Sequence, residues 1–307
     1  VSYLIFDIET IPDLSVWTPP PVETPDQAPP ADAPLPGQLQ LVGAPAPAGP
    51  IGAPPAEPGA PPPADGGIVI PPMSAPKKSR SRKKAAAPGE PPKEPFPPHY
   101  AHRVIAIGWT WLELDAGAAE VKGIGCVGTS VFKDDEGSLI TAWDDFVRRE
   151  SPTIVTFAGR GFDVPVLSLR AFRHGVSQAW ADREYRHRYS ERHLDLFEQL
   201  TEYGILPRTG FSLDTFAQLM GLPGKMGVDG SQVKALWTAG EIGKIEAYCA
   251  CDAVRTAFVL LRFLLIRGRI SKAQYVTAAR SLLETSNGMG LGAITFGVDA
   301  KRLLLEG

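Results

Sequence analysis

Leu4-Ile5-Phe6-Asp7-Ile8-Glu9-Thr10 decides how the rest of the chain is read. Apolar residues run straight into two carboxylates placed two positions apart. Side chains alternate along a strand with a period of two, so Asp7 and Glu9 point to one face. The run Tyr3-Leu4-Ile5-Phe6 reads as a strand buried on both faces that ends where the acids begin. Two carboxylates roughly 7 Å apart along a strand repel each other when partly desolvated, and call for a proton or a cation. A hard divalent cation with oxygen ligands answers that need. A bare D-x-E is more often a pair of solvated acids, so the pattern needs support from elsewhere in the chain.

Composition sets the frame. The chain has 307 residues, 44% hydrophobic and 21% charged, with a net charge of -3, which suits one or two globular domains. Mild acidity does not exclude a nucleic-acid partner, because a basic groove can coexist with a near-neutral total. Cys126, Cys249 and Cys251 make neither a disulfide framework nor a zinc site. No long uncharged apolar run indicates a membrane span, and no basic-then-apolar leader is visible. The expected setting is a reducing cytoplasm.

After Thr10 the composition changes. Of the 31 prolines, all but Pro152, Pro165, Pro207 and Pro223 lie at or before Pro98. A segment so rich in Pro, Ala and Gly cannot bury enough apolar surface to offset its ordering entropy. Residues 14–98 are therefore expected to be a disordered insertion within one domain made of residues 1–13 and 99–307. Inside it, Lys77-Lys78-Ser79-Arg80-Ser81-Arg82-Lys83-Lys84 has two readings, a tether for phosphate backbones or a solubilising charge block.

Downstream, Val104–Leu112 and Glu120–Gly128 read as strands that form an antiparallel meander with the first. Helical spacing of apolar residues covers Ser138–Arg149, and Thr153–Phe157 is a short buried strand. A helix from Val164 to His174 stops at Gly175, and His193–Leu196 supplies a fifth strand leading into a helix through Leu200. Ser212 caps a short helix to Leu222; longer ones run from about Glu241 to Ile266 and from Ser271 to Thr285. The order predicts an α/β domain with a mixed sheet, three antiparallel strands plus parallel strands added through helical crossovers.

Two further sites align with the first stretch. Asp163 follows a buried strand and opens a helix, at the carboxyl-end edge of the sheet where Asp7 and Glu9 lie, although an N-cap role accounts for it equally. Tyr248 and Asp252, four apart on a helix, share a face. Taken together, Phe6-Asp7-Ile8-Glu9-Thr10, Phe157-Ala158-Gly159-Arg160-Gly161-Phe162-Asp163 and Tyr248-Cys249-Ala250-Cys251-Asp252 resemble the motifs of the DEDDy 3′–5′ exonucleases. Within them they resemble the predicted exonucleases related to the proofreading domain of family-B DNA polymerases. The resemblance extends over the whole chain outside the insertion, including Gly224-Lys225 through Val233. One departure is Ala158-Gly159 in place of the usual Asn-Gly. In the family that Asn supports the substrate rather than the metal, so the change bears on rate or preference and not on reaction class.

The resemblance implies a ribonuclease-H-like fold and phosphodiester hydrolysis at the 3′ end of single-stranded or frayed DNA. It implies two divalent ions, Mg²⁺ or Mn²⁺, about 3.5–4 Å apart. Asp7 would bridge both, Glu9 and Asp252 would complete the shell of the ion carrying the nucleophilic water, and Asp163 would hold the second. Tyr248 would orient the attacking water. Candidate nucleic-acid contacts are Thr10 and Phe162 inside the motifs, and Arg160 and Lys225 in glycine-containing loops beside them. The stretch Asp182–Arg192 interleaves Arg183, Arg186, Arg188 and Arg192 with Tyr185, His187 and Tyr189, which reads either as a stacking and phosphate-binding track or as a solvated face. Asp195 is expected to make a structural hydrogen bond rather than to bind metal, and Asp214 and Asp229 to cap or turn. The alternatives are an exoribonuclease of the same fold and a non-catalytic nucleic-acid-binding module; four acids kept together without metal argue against the latter.

Overall fold

The computed structural model describes residues 1–20, 95–115, 118–178, 180, 183–206, 209–224 and 230–306. Contacts divide the chain into one unit of residues 1–19 and 96–307 and another of residues 20–95. Nearly all of the second unit, with the basic run at 77–84, lies outside the described residues.

Five strands form one sheet: β1 (Ser2–Pro12), β2 (His102–Asp115), β3 (Ala118–Gly128), β4 (Thr153–Thr156) and β5 (His193–Asp195), in the order β3-β2-β1-β4-β5. β1 pairs antiparallel with β2 and β2 with β3, whereas β4 and β5 continue from β1 in parallel. This is the mixed sheet expected from the strand pattern, three antiparallel strands with parallel ones added, and it agrees with the ribonuclease-H-like fold that the resemblance implies. The helices are α1 (Glu136–Glu150), α2 (Asp163–His174), α3 (Arg183–Arg186), α4 (Leu196–Leu200), α5 (Leu213–Leu219), α6 (Val233–Thr238), α7 (Ile242–Ile266), α8 (Lys272–Gly288), α9 (Gly292–Thr295) and α10 (Ala300–Leu304). Among the described residues no helix is long and apolar enough to cross a membrane.

Alternation along β1 sorts the core into two layers. Leu4, Phe6 and Ile8 pack with Trp143 and Val147 of α1 and Val166 and Leu167 of α2. Ile5 faces the other way, in a cluster with Val254, Ala257 and Phe258 of α7. A strand sandwiched this way must be apolar on both faces, as its sequence is. Local signals fix several helix ends. Gly175 terminates α2 with φ 64°, Ser212 accepts from the Thr215 amide, and Ser271 forms a capping box with Gln274. α5 stops at Leu219, short of the expected Leu222, and α1 starts two residues early, at Glu136, because Asp135 caps it.

The chain leaves β1 and returns to β2 at one place. Pro12 pairs with His102, and the Asp13 amide donates to the Ala101 carbonyl at 2.7 Å. The buried Arg170 guanidinium ties both ends down. It bonds to Asp13 (2.7 Å), to Tyr100 O (3.4 Å) and to both oxygens of Glu136, which in turn accepts from the Val104 amide at 2.7 Å.

Candidate active site

β4 pairs with β1 only over Tyr3, Leu4 and Ile5. Among the described residues no strand lies beside the β4-side edge of β1 beyond Ile5, and its backbone groups need other partners. The Ile8 amide finds one in Asp163, donating to Oδ1 at 3.1 Å. Phe162, not Asp163, occupies the cap position of α2 and makes no side-chain cap bond, so the acid opens the helix with its carboxylate turned to β1. Burial pushes that carboxyl up to about 7, with the Asp195 charge adding to the effect. Gly159 makes room for it, since a Cβ there would lie 2.6 Å from Asp163 Oδ2.

Asp7 and Glu9, flanking Ile8, face α7. A carboxylate oxygen from each and Sγ of Cys249 all lie within 4.8 Å of one another. The Tyr248 hydroxyl is pushed far above its ordinary range, first by burial and then by the negative charges of Asp252, Glu9 and Asp7. It therefore keeps its proton and donates to the Asp252 side chain one turn along the helix. Asp252 is also held by Arg255, whose Nη1 donates to Oδ1 at 3.0 Å. Asp7, Glu9, Tyr248 and Asp252 thus gather at one corner, with Asp163 bonded to the residue between the first two.

What lets α7 reach that corner is Gly108, the β2 residue paired with Asp7. Its amide donates to Cys249 Sγ at 3.0 Å, and the thiol in turn meets Asp7 O at 3.4 Å. Sequence reasoning passed over Gly108, although an isolated glycine inside a β-rich run is the usual mark of a close backbone approach. Arg255 and Cys249 were missed as well. The i, i+3 spacing from Asp252 to Arg255 was the available signal for the first, and nothing local announced the second.

The expected nucleic-acid contacts fare differently. Thr10 Oγ1 is hydrogen-bonded to His102 Nδ1 at 2.8 Å. Phe162 is half-buried in an aromatic group with Phe96, His99 and His102, their rings 4.9–5.9 Å from its own. The Arg160 guanidinium bonds to Glu198 (3.0 Å) and to the carbonyls of Arg186 (3.0 Å) and His193 (2.8 Å), so it braces the chain before β5. Lys225 and Asp229 lie outside the described residues. Asp195 accepts from the amides of Ala158, Arg160 and Glu198, the structural role expected of it.

Much of the Arg/Tyr stretch is likewise structural. Arg188 pairs with Glu198, Arg192 bonds to the Tyr185 hydroxyl, and the buried Tyr185 hydroxyl donates to the Pro152 carbonyl; Tyr189 is exposed.

Residues 94–290 match the model of a family described as predicted 3′-5′ exonucleases related to the exonuclease domain of PolB. Among solved structures, the chain is similar to the family B DNA polymerase from the hyperthermophilic archaeon Pyrobaculum calidifontis. The identity is 21% and the TM-score 0.42, over 68% of this chain and 26% of the polymerase. The chain thus spans about a quarter of that polymerase's length. No curated protein matches it.

Proposed function

The chain belongs to the family of predicted 3′–5′ exonucleases related to the PolB exonuclease domain, and we propose that it removes nucleotides from the 3′ end of single-stranded or frayed DNA by metal-dependent phosphodiester hydrolysis. The observation that carries this reading is the gathering of Asp7, Glu9, Tyr248 and Asp252 at the uncovered end of β1, where Asp163 is anchored.

The donor set fits a hard divalent cation. It is built of carboxylates, two of them within 4.8 Å of each other, and the soft atom grouped with them, Cys249 Sγ, is already bonded to Gly108 and Asp7 backbone. Asp7, Glu9, Asp163 and Asp252 would hold two such ions, Mg²⁺ or Mn²⁺. When bound, they supply a nucleophilic water at neutral pH and offset charge on the reacting phosphate. Tyr248 remains a phenol beside these charges, so its hydroxyl can hydrogen-bond the attacking water while Asp252 fixes its direction. Thr10 and Phe162, chain neighbours of Glu9 and Asp163, would meet the terminal nucleotide. Lys225 stays a candidate phosphate contact on sequence grounds.

DNA is favoured over RNA by the kinship to polymerase proofreading domains. The test is digestion of 5′-labelled DNA and RNA oligomers with Mg²⁺ or EDTA. The expected result is a ladder shortening one nucleotide at a time from the 3′ end, faster on DNA, and absent with EDTA. A faster RNA ladder would move the reading to an exoribonuclease, and binding without cleavage would move it to a non-catalytic module.

A further inference from the structure

α7 carries a buried charge that the hydrolytic scheme does not use. The Arg255 side chain is 2% exposed and lies one turn beyond Asp252, whose own side chain is 8% exposed. Nη1 donates to Asp252 Oδ1 at 3.0 Å and Nη2 to the Ala293 carbonyl of α9 at 3.2 Å, while Nε has no hydrogen-bond partner among the described residues. Stability alone gives a poor reason for this arrangement. A buried ion pair is commonly no better than apolar side chains of the same volume, and here one donor goes unsatisfied as well.

Asp252 lies beside other acids, however. Its charge and those of Glu9 and Asp7 all act on the Tyr248 hydroxyl. Clustered carboxylates repel one another whenever no cation is bound. A guanidinium remains charged under all working conditions and is the side chain best suited to offset that repulsion permanently. The same charge then opposes any cation that comes to share the Asp252 carboxylate, because like charges close together in a poorly screened site repel strongly.

We infer that Arg255 is a positioning residue that sets the site's affinity for divalent cations. It holds the Asp252 carboxylate in place in the metal-free protein and, by its charge, keeps a bound ion from being held too tightly to exchange. The inference rests on reading Asp252 as a metal ligand, and predicts that removing the Arg255 charge strengthens ion binding. Loss of a mere structural brace would leave binding unchanged or weaken it.

The test is a Mn²⁺ titration of the full chain followed by the electron paramagnetic resonance signal of free Mn²⁺. Arg255→Gln, which can still hydrogen-bond Asp252 without charge, is expected to bind Mn²⁺ tenfold more tightly or better. Arg255→Lys should stay within about threefold of wild type. If Arg255→Gln lacks a cooperative melting transition, Arg255→Met carries the same expectation. Neutral variants that bind Mn²⁺ no more tightly than the wild type overturn the inference and leave the exonuclease reading standing. No Mn²⁺ binding by the wild type removes the metal site itself, and the inference with it.

Discussion

The amide of Gly108 donates to Sγ of Cys249 at 3.0 Å, and a Cβ on Gly108 would stand 2.4 Å from the Cys249 carbonyl oxygen. Helix α7 therefore rests directly on the backbone of β2, at the residue paired with Asp7. Tyr248 and Asp252 reach Asp7 and Glu9 because no side chain intervenes. Backbone atoms on both sides of the contact leave little room to relax. Gly108→Ala should destabilise the fold by about 2–3 kcal/mol, as overpacking does. It should also lift α7 away from the acids, so activity in the folded fraction should fall at least tenfold. A chemical denaturation midpoint and an oligomer digestion assay check the two effects. Wild-type values for both would mean that α7 can retreat without harm.

A second strained position lies in the loop before Asp163. Ala158 has φ 64°, a left-handed conformation that alanine adopts at a cost of about 1 kcal/mol and asparagine tolerates well. The Asn found there in the resembled family suits this backbone. Ala158→Asn should raise the stability by about 1 kcal/mol with no loss of hydrolysis, read from denaturant unfolding and a rate assay. A destabilised variant would show that the methyl group makes a contact worth more than the strain.

Asp163 predicts a pH dependence. Its carboxyl titrates near 3.8 when exposed and is pushed up to about 7 by burial, so the native state binds the proton more tightly than the unfolded chain. The stabilisation is fully present below about pH 4 and is lost as pH rises through about 7. His193 runs the other way, its imidazole held down to about 3 chiefly by burial, so the raw stability curve mixes both. Subtracting the curve of Asp163→Asn isolates the acid, since the amide oxygen can still accept from Ile8. In EDTA, wild type should lose stability relative to the variant between pH 4 and 7. A flat difference would show that Asp163 is ionised in the metal-free fold.

Much of this architecture could be read from the residues themselves. Period-two alternation around Phe6, Asp7, Ile8 and Glu9 settled the central strand and the facing of its acids. Helical spacing and the cap at Ser212 located the helices. Less legible was what each side chain does with its neighbours. Arg160 sits in a glycine loop beside Asp163, and nothing in that loop announces that Glu198 and backbone carbonyls from a distant segment hold its guanidinium. Arg255 reads as one more charge on a long helix, because its burial depends on α9 packing over it. Both are outcomes of long-range packing, which spacing along the chain does not encode.

Excision of residues 21–94, with a short Gly/Ser linker in their place, tests the expected insertion. Both flanks are pinned where Pro12 pairs with His102 and Arg170 holds Asp13 and Tyr100. The melting temperature should change by no more than a few degrees, because loop closure depends weakly on length. Binding to long oligomers should lose part of its salt dependence with the run from Lys77 to Lys84, if that run contacts phosphates. An unchanged salt slope would leave it as a solubilising block, and loss of the cooperative melt would make the segment structural.

Asp7 is the residue on which the proposed chemistry turns, and its replacement separates a metal site from a mere cluster of acids. Asp7→Asn keeps the shape and removes one negative charge beside Glu9, whose carboxylate lies within 4.8 Å. Without metal the change relieves repulsion, so the melting temperature should hold level or rise. With Mg²⁺ the wild type should gain stability, because an ion that binds only the native state shifts the equilibrium by mass action. The variant should gain little, and hydrolysis should fall to background. Exposed strand-end acids with no metal role would give no Mg²⁺-dependent stabilisation in either protein. Asp7→Asn protein that kept both the Mg²⁺-dependent stabilisation and the nuclease ladder would overturn the assignment of this corner as the active site.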